Sequence, residues 1–474
     1  MSLEAFQVEK HGVDAVPRSE RTKGWWDLFV IQAGVNITLS SLLLGGLLVP
    51  GLSWAQACWA LVVGNIILGV LLALMGYFGV DYGVSTTVAS RFSMGHPRGS
   101  WIASIIILLS MVGWFGVTAE LAGQATHDAL RGVPGVSHTA VVIALIGVLN
   151  SLPPILGFEN IKWLSRLAVP GLTGLCFWIL YVIISKYGYW NLVHYTPTHT
   201  LTLTTGLDLV MGGLIVGVFT AADISRYVAS ERDNWIGSML GAFPPSLFLG
   251  LVGALSKLAT GDWNAVSVVQ RLGLGAPALI VIIASSWTAN NTNLYSSGLA
   301  LANMFPKMSR WQSTALMGAL GTILAASRVT RYFGSFLLTL SDLFSPLIGI
   351  LMCDYFIVRR SKLNLGEAYE DSGHCFYTGG VNLAAVGALI AGFVVAKFTP
   401  PGMMASLVSL FAASVVYFIS LKLLYEKAGA KAEEKNAERM TQTNIRETPV
   451  ESPQSGAQSG TDIPHPASER SNSN

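Results

Sequence analysis

Apolar runs of about 17 to 25 residues recur from one end of this chain to the other, each long enough to carry a helix across a roughly 30 Å hydrocarbon core. Backbone in lipid must satisfy its own hydrogen bonds, which leaves such runs little choice but the α-helix. About twelve can be read in order, so the chain is expected to fold as an all-α integral membrane protein. Charge agrees: only 12% of the 474 residues are charged, against roughly 25% in a soluble domain.

One run breaks the pattern. Ser285 to Gly298, SSWTANNTNLYSSG, is an island of hydroxyls and amides inside an apolar segment from Ala276 to Phe305. Polar side chains at membrane depth are costly and face a protein interior or a wet cavity, so Thr288, Asn290, Asn291 and Asn293 are expected to line a pocket or path. Asn290 and Asn293, three apart, share a helical face, whereas Asn291 points elsewhere. The alternative for each amide is interhelical hydrogen bonding that only holds the bundle together.

Two further runs are interrupted. The first span, about Asp27 to Pro50, carries Gly34, Asn36, Thr38, Ser40 and Ser41 in its middle, then Gly45 and Gly46. A break there would expose backbone carbonyls able to bind a cation or polar ligand. The sixth, about Leu207 to Val228, clusters Gly212, Gly213 and Gly217, which suggests a second discontinuity or a close helix crossing. In the third span, Trp114 and Thr118 lie one turn apart and can face one cavity.

Most of the 29 Lys and Arg fall on the side that holds both termini when the spans number twelve, so both termini are expected in the cytoplasm. The boundaries read as a cytoplasmic arm over 1–24, a ten-helix core over 25–358, a loop and two C-terminal helices over 359–424, and a disordered tail over 425–474. Those last two helices lack buried ionisable residues and read as peripheral.

A net charge of +2 offers nothing to a nucleic acid. The four cysteines show no CxxC pair and read as small buried residues. No GxSxG, HExxH or P-loop suggests an enzyme, and nothing calls for a cofactor or an obligate protein partner.

The runs GNIILGVLLALMGYFGVDYGVSTTVASRFSMG, VGWFGV, TAADISRY, WTANNTNLYSSGLALANMF and PLIGILMCDYFIVRR resemble, in order and from about Trp26 to Leu424, the nucleobase:cation symporter family of purine and cytosine permeases. The resemblance implies a LeuT-type five-plus-five inverted repeat followed by two peripheral helices in the inner membrane. It implies a symporter importing a small planar nitrogen heterocycle, with H⁺ or Na⁺ as the coupling ion. A receptor that binds such a ligand without moving it is the alternative.

Carried onto this chain, the resemblance makes Trp114 the stacking aromatic, although an ordinary packed ring is the plainer reading. Thr118, Asn36, Ser40, Gly213, Leu214, Asn290 and Asn293 complete the candidate substrate contacts. Gly213 and Leu214 fall where cytosine-reading members carry hydroxyls or an aromatic ring, and Met111 falls where they carry an amide. Unpaired donors on a ligand would cost about 1 to 3 kcal/mol each, so these departures count against cytosine.

A Na⁺ site would draw on Gly34, Thr38, Ser285 and Thr288, since oxygen donors suit a hard cation. Ala289 stands where sodium-coupled members tend to have a second hydroxyl, which puts that ion in doubt. If protons drive the cycle instead, Glu120 and Asp342 are the candidate intramembrane carboxylates, while Asp223 reads as a structural partner of nearby Arg226.

Overall fold

In the computed structural model the described residues are 14–130, 138–156, 162–261, 275–305, 307–368 and 377–424, and among them the chain is helical with no strand. The expected tail over 425–474 lies outside the described residues.

The first span breaks where its polar residues predict. α1 (Trp25–Asn36) and α2 (Leu39–Leu48) meet at 63°. Between them Thr38 is extended, with φ −136° and ψ 160°, so the helical ladder cannot continue. Side chains close the gap: Ser41 Oγ donates to the Asn36 carbonyl at 2.7 Å, and the Thr38 and Ser40 hydroxyls bond each other at 2.9 Å. The Gly45–Gly46 pair is not an interruption but part of α2.

The chain continues through α3 (Trp54–Tyr82), α4 (Thr86–Met94), α5 (Arg98–Ala129), α6 (Thr139–Leu156), α7 (Lys162–Tyr187) and α8 (Tyr189–Val193). Next come α9 (Leu203–Phe219), α10 (Ala221–Ser225), α11 (Glu231–Thr260), α12 (Gly275–Met304) and α13 (Arg310–Ala326). α14 (Phe333–Met352) runs into a π-helical turn, and α15 (Leu383–Phe398) and α16 (Ala405–Leu424) follow. Among the described residues, six helices are long and apolar enough to cross a membrane, and the bent α1–α2 pair makes a seventh span. Leu145, Tyr181, Ile323 and Phe411 point outward, an apolar surface that a bilayer covers.

Glycine sets two of the closest crossings. A Cβ on Gly45 would stand 1.8 Å from the Gly250 carbonyl oxygen, so α2 lies directly on the backbone of α11. A Cβ on Gly212 would stand 2.1 Å from the Leu337 carbonyl oxygen, which fixes α9 against α14. The glycine cluster of the sixth span thus serves a crossing, and the helix is interrupted later, at Thr220.

The last two helices are less detached than their composition suggests. Asp208 of α9 accepts from the Ala405 and Ser406 amides at 3.0 Å each and from the Ser406 hydroxyl at 2.6 Å, capping α16. Lys397 of α15 reaches Asp342 of α14 at 2.6 Å, and Tyr417 of α16 donates to Asp354 at 2.8 Å. The carboxylates that tie these two helices down sit on α9, on α14 and in the π-helical turn after it rather than on α15 and α16 themselves.

Candidate functional site

α12 crosses the bundle alongside α5, with the α1–α2 break beside both. Where the three meet is a closed cleft, too tight to admit a water molecule, lined by Thr38, Leu39, Thr118, Ser285, Ser286 and Ala289. Ligand pockets usually span roughly 300 to 1,000 Å³, so the cleft as it stands has no room for a ligand. It brings together residues assigned separately from sequence, Thr118 for a heterocycle and Thr38 and Ser285 for a cation.

Hydrogen bonds across the α5–α12 contact define what its wall can do. Thr118 Oγ1 lies within reach of the Trp114 carbonyl at 2.9 Å, the Phe115 carbonyl at 3.2 Å and Asn290 Oδ1. Ser286 Oγ donates to the Thr118 carbonyl at 3.0 Å and accepts from Asn150 Nδ2 of α6, also at 3.0 Å. Asn293 Nδ2 donates to Asn290 Oδ1 at 3.3 Å. Asn290 is fully buried and its oxygen is engaged twice, yet its Nδ2 has no partner among the described residues. Trp287 Nε1 and Asn291 Oδ1 are likewise buried without partners. A buried unmatched donor costs about 1 to 3 kcal/mol, so α12 carries polar groups that the described residues leave unsatisfied.

One turn before Thr118, the Trp114 indole is met edge-on by Phe336 at 5.4 Å and Phe333 at 6.0 Å between ring centroids. Both phenyl rings belong to α14, which therefore covers the indole.

The remaining candidates lie outside the cleft lining. Asn36 is buried against α11, its Nδ2 donating to the Gln32 and Gly241 carbonyls and its Oδ1 accepting from Ser246. Ser40 bonds Thr38, and Gly34 faces Val169 of α7. Gly213 approaches Leu44, and Leu214 is buried beside Gly217. Thr288 donates to the Ala284 carbonyl of its own helix at 3.0 Å.

Glu120 accepts from the Thr330 amide at 2.7 Å, the Thr330 hydroxyl at 2.6 Å and Gln124 at 2.7 Å, at the turn between α13 and α14. Asp342 is held by Lys397. Asp223 accepts from the Thr86 amide at 2.7 Å, at the start of α4.

Sequence reasoning missed Ser286 and Asn150. Ser286 stood in the polar island, but which of two adjacent serines faces α5 depends on the rotation of α12. Asn150, beside Ser151 in an otherwise apolar run, gave no signal of its partner 136 residues away.

A bundle with a broken first span and a hydroxyl-lined cleft against the break defines a membrane transporter rather than an enzyme. Residues 15–419 match the family described as permeases for cytosine/purines, uracil, thiamine and allantoin, and the chain belongs to that family. It is 29% identical over 350 residues to the cytosine permease of Escherichia coli strain K12, covering 73% of this chain and 80% of that one. Its fold is that of Mhp1. The inward-facing structure superposes with a TM-score of 0.81 at 22% identity, covering 90% of this chain and 96% of the other. A closed structure of the same transporter, of the nucleobase-cation-symport-1 family and with bromovinylhydantoin bound, gives 0.77 at 22% identity, covering 89% and 96%.

Proposed function

We propose that this chain is a secondary active symporter that imports a small planar nitrogen heterocycle, other than cytosine, across the cytoplasmic membrane. The observation that carries the reading is the Asn290 amide, a fully buried donor without a partner among the described residues, beside a cleft of hydroxyls. A heterocycle carbonyl would satisfy it, and Trp114 offers an indole face for stacking once Phe333 and Phe336 withdraw. Such stacking contributes about 1 to 3 kcal/mol. The bound bromovinylhydantoin of Mhp1 supports a ligand of this chemistry.

In this reading the core over 25–358 is a five-plus-five inverted repeat among about twelve spans. The helices over 359–424 brace it, and the arm over 1–24 and the tail over 425–474 face the cytoplasm. The ion is H⁺ or Na⁺, and no cofactor or obligate protein partner takes part. Thr38 and Ser285 are the cleft hydroxyls available to a cation, together with carbonyls at the α1–α2 break. Glu120 and Asp342 are the carboxylates available to a proton.

Thermal unfolding of the detergent-purified protein tests this, using uracil, purines, hydantoins, allantoin and pyrimidine vitamin precursors, each in Na⁺ and in K⁺. A ligand at 100 times its Kd should stabilise the protein by about 2.7 kcal/mol. Stabilisation by a heterocycle that is larger in Na⁺ assigns the ion to the Thr38–Ser285 region. Stabilisation that follows pH alone assigns it to the carboxylates. No stabilisation by any heterocycle refutes the substrate class.

A further inference from the structure

Asn150 stands one residue removed from the cleft, and the hydrogens there can be counted. A serine hydroxyl has one hydrogen and two lone pairs. Ser286 Oγ gives its hydrogen to the Thr118 carbonyl at 3.0 Å and takes the Asn150 Nδ2 hydrogen on one lone pair at 3.0 Å. What remains, on a side chain that lines the cleft, is a single lone pair. Thr118 is in a similar state, since its one hydrogen has three acceptors within reach. The wall therefore offers acceptors at Ser286 and Thr118, and behind it Asn290, bonded to Thr118 through Oδ1, holds a buried donor at Nδ2.

We propose that Asn150 is a positioning residue for ligand selection: its amide holds the Ser286 hydroxyl with the hydrogen turned to Thr118 and a lone pair turned to the cleft, so that Ser286 accepts a ring N–H. This rests on the reading of the cleft as the heterocycle site. The ligand it selects carries a ring N–H near a carbonyl, the N–H facing Ser286 and the carbonyl facing Asn290. Without Asn150 only the Thr118 carbonyl holds the hydroxyl. It can then turn its hydrogen into the cleft, where a ring N–H would meet a donor instead of an acceptor. Asn150 and Ser286 are both buried, so water does not substitute freely for the lost amide.

The test uses full-length protein in proteoliposomes and uptake of tritiated uracil, hypoxanthine, hydantoin and allantoin. The substrate taken up best is then competed against its own N-methylated forms. In the wild type, methylation at one ring nitrogen is expected to weaken competition at least tenfold. Ser286→Ala should shrink that penalty about 5- to 10-fold, the value of roughly one hydrogen bond. Asn150→Leu and Asn150→Ser should raise KM for the parent and shrink the penalty equally, with Vmax per folded transporter held within about twofold. Combining either with Ser286→Ala should add nothing further, because one residue acts through the other.

Additive effects in the double variant overturn the proposal. So do Asn150 variants that lower the melting temperature or Vmax and leave the methyl penalty intact, since that is the behaviour of an amide that merely joins α6 to α12. An unchanged penalty in Ser286→Ala overturns it whatever the Asn150 variants do. Uptake of none of the four compounds by the wild type refutes the transport reading itself, and the selection with it.

Discussion

Two sides of this molecule bury polar groups and treat them in opposite ways. Along α9, α14 and the π-helical turn after it, Asp208, Asp342 and Asp354 are each met by donors from α15, α16 or Arg359: two amides and a hydroxyl, an ammonium, and a guanidinium with a phenol. Along α12, Asn290 Nδ2, Trp287 Nε1 and Asn291 Oδ1 are buried with no partner among the described residues. The desolvation penalty is of the same kind on both sides. Where it is matched internally, the helices are pinned. Where it is left open beside a cleft, a ligand can match it, and the folded protein holds binding energy in reserve.

The difference predicts which substitutions harm stability and which harm binding. The largest effect is expected from Asp354→Ala, which takes from the Arg359 guanidinium the carboxylate it meets at 2.8 Å and leaves it only the Phe92 carbonyl and the Tyr377 hydroxyl among the partners seen here. Removing one partner of a buried pair costs about 3 to 5 kcal/mol, to be seen as a sharp fall in melting temperature with or without ligand.

Next is Asn290→Ala. It should reduce heterocycle binding by about 1 to 3 kcal/mol while moving the ligand-free melting point less, because Thr118 keeps two backbone acceptors and only the long Asn293 bond is lost besides. A fall in ligand-free stability as large as that of Asp354→Ala would erase the distinction between the two sides. The smallest effect belongs to Lys397→Met. Its ammonium is about half exposed, with 47% of the side chain accessible, and partly exposed pairs contribute up to about 1 kcal/mol. If Asp342 serves only to hold α15, this variant keeps gradient-driven uptake; loss of coupling at unchanged stability would instead mark Asp342 as a proton site.

Much of the site's location was legible. Thr38, Ser40 and Ser41 in an apolar run predicted the break in the first span, since hydroxyls there compete with the helical ladder. The island from Ser285 to Gly298 predicted polar atoms facing protein. Gly212 was ambiguous between a kink and a crossing, and only Leu337, more than a hundred residues on, resolves it. Asn36 was open, from sequence, between a ligand contact and structural hydrogen bonding. Its amide instead joins α1 to Gly241 and Ser246 of α11, which no local pattern could reveal.

The sequence by itself determined that this chain crosses a membrane as helices, where one of them breaks, and which segment carries polar groups too costly for lipid. These follow from composition and period along a single segment, because hydrophobic length and backbone satisfaction are local requirements. Only the tertiary structure decided the partnerships: Asp208 with the start of α16, Asp354 with Tyr417, and Ser286 between Asn150 and Thr118. Each depends on the rotation and crossing of helices far apart in sequence, and that arrangement separates a buried polar group that is satisfied from one that awaits a ligand.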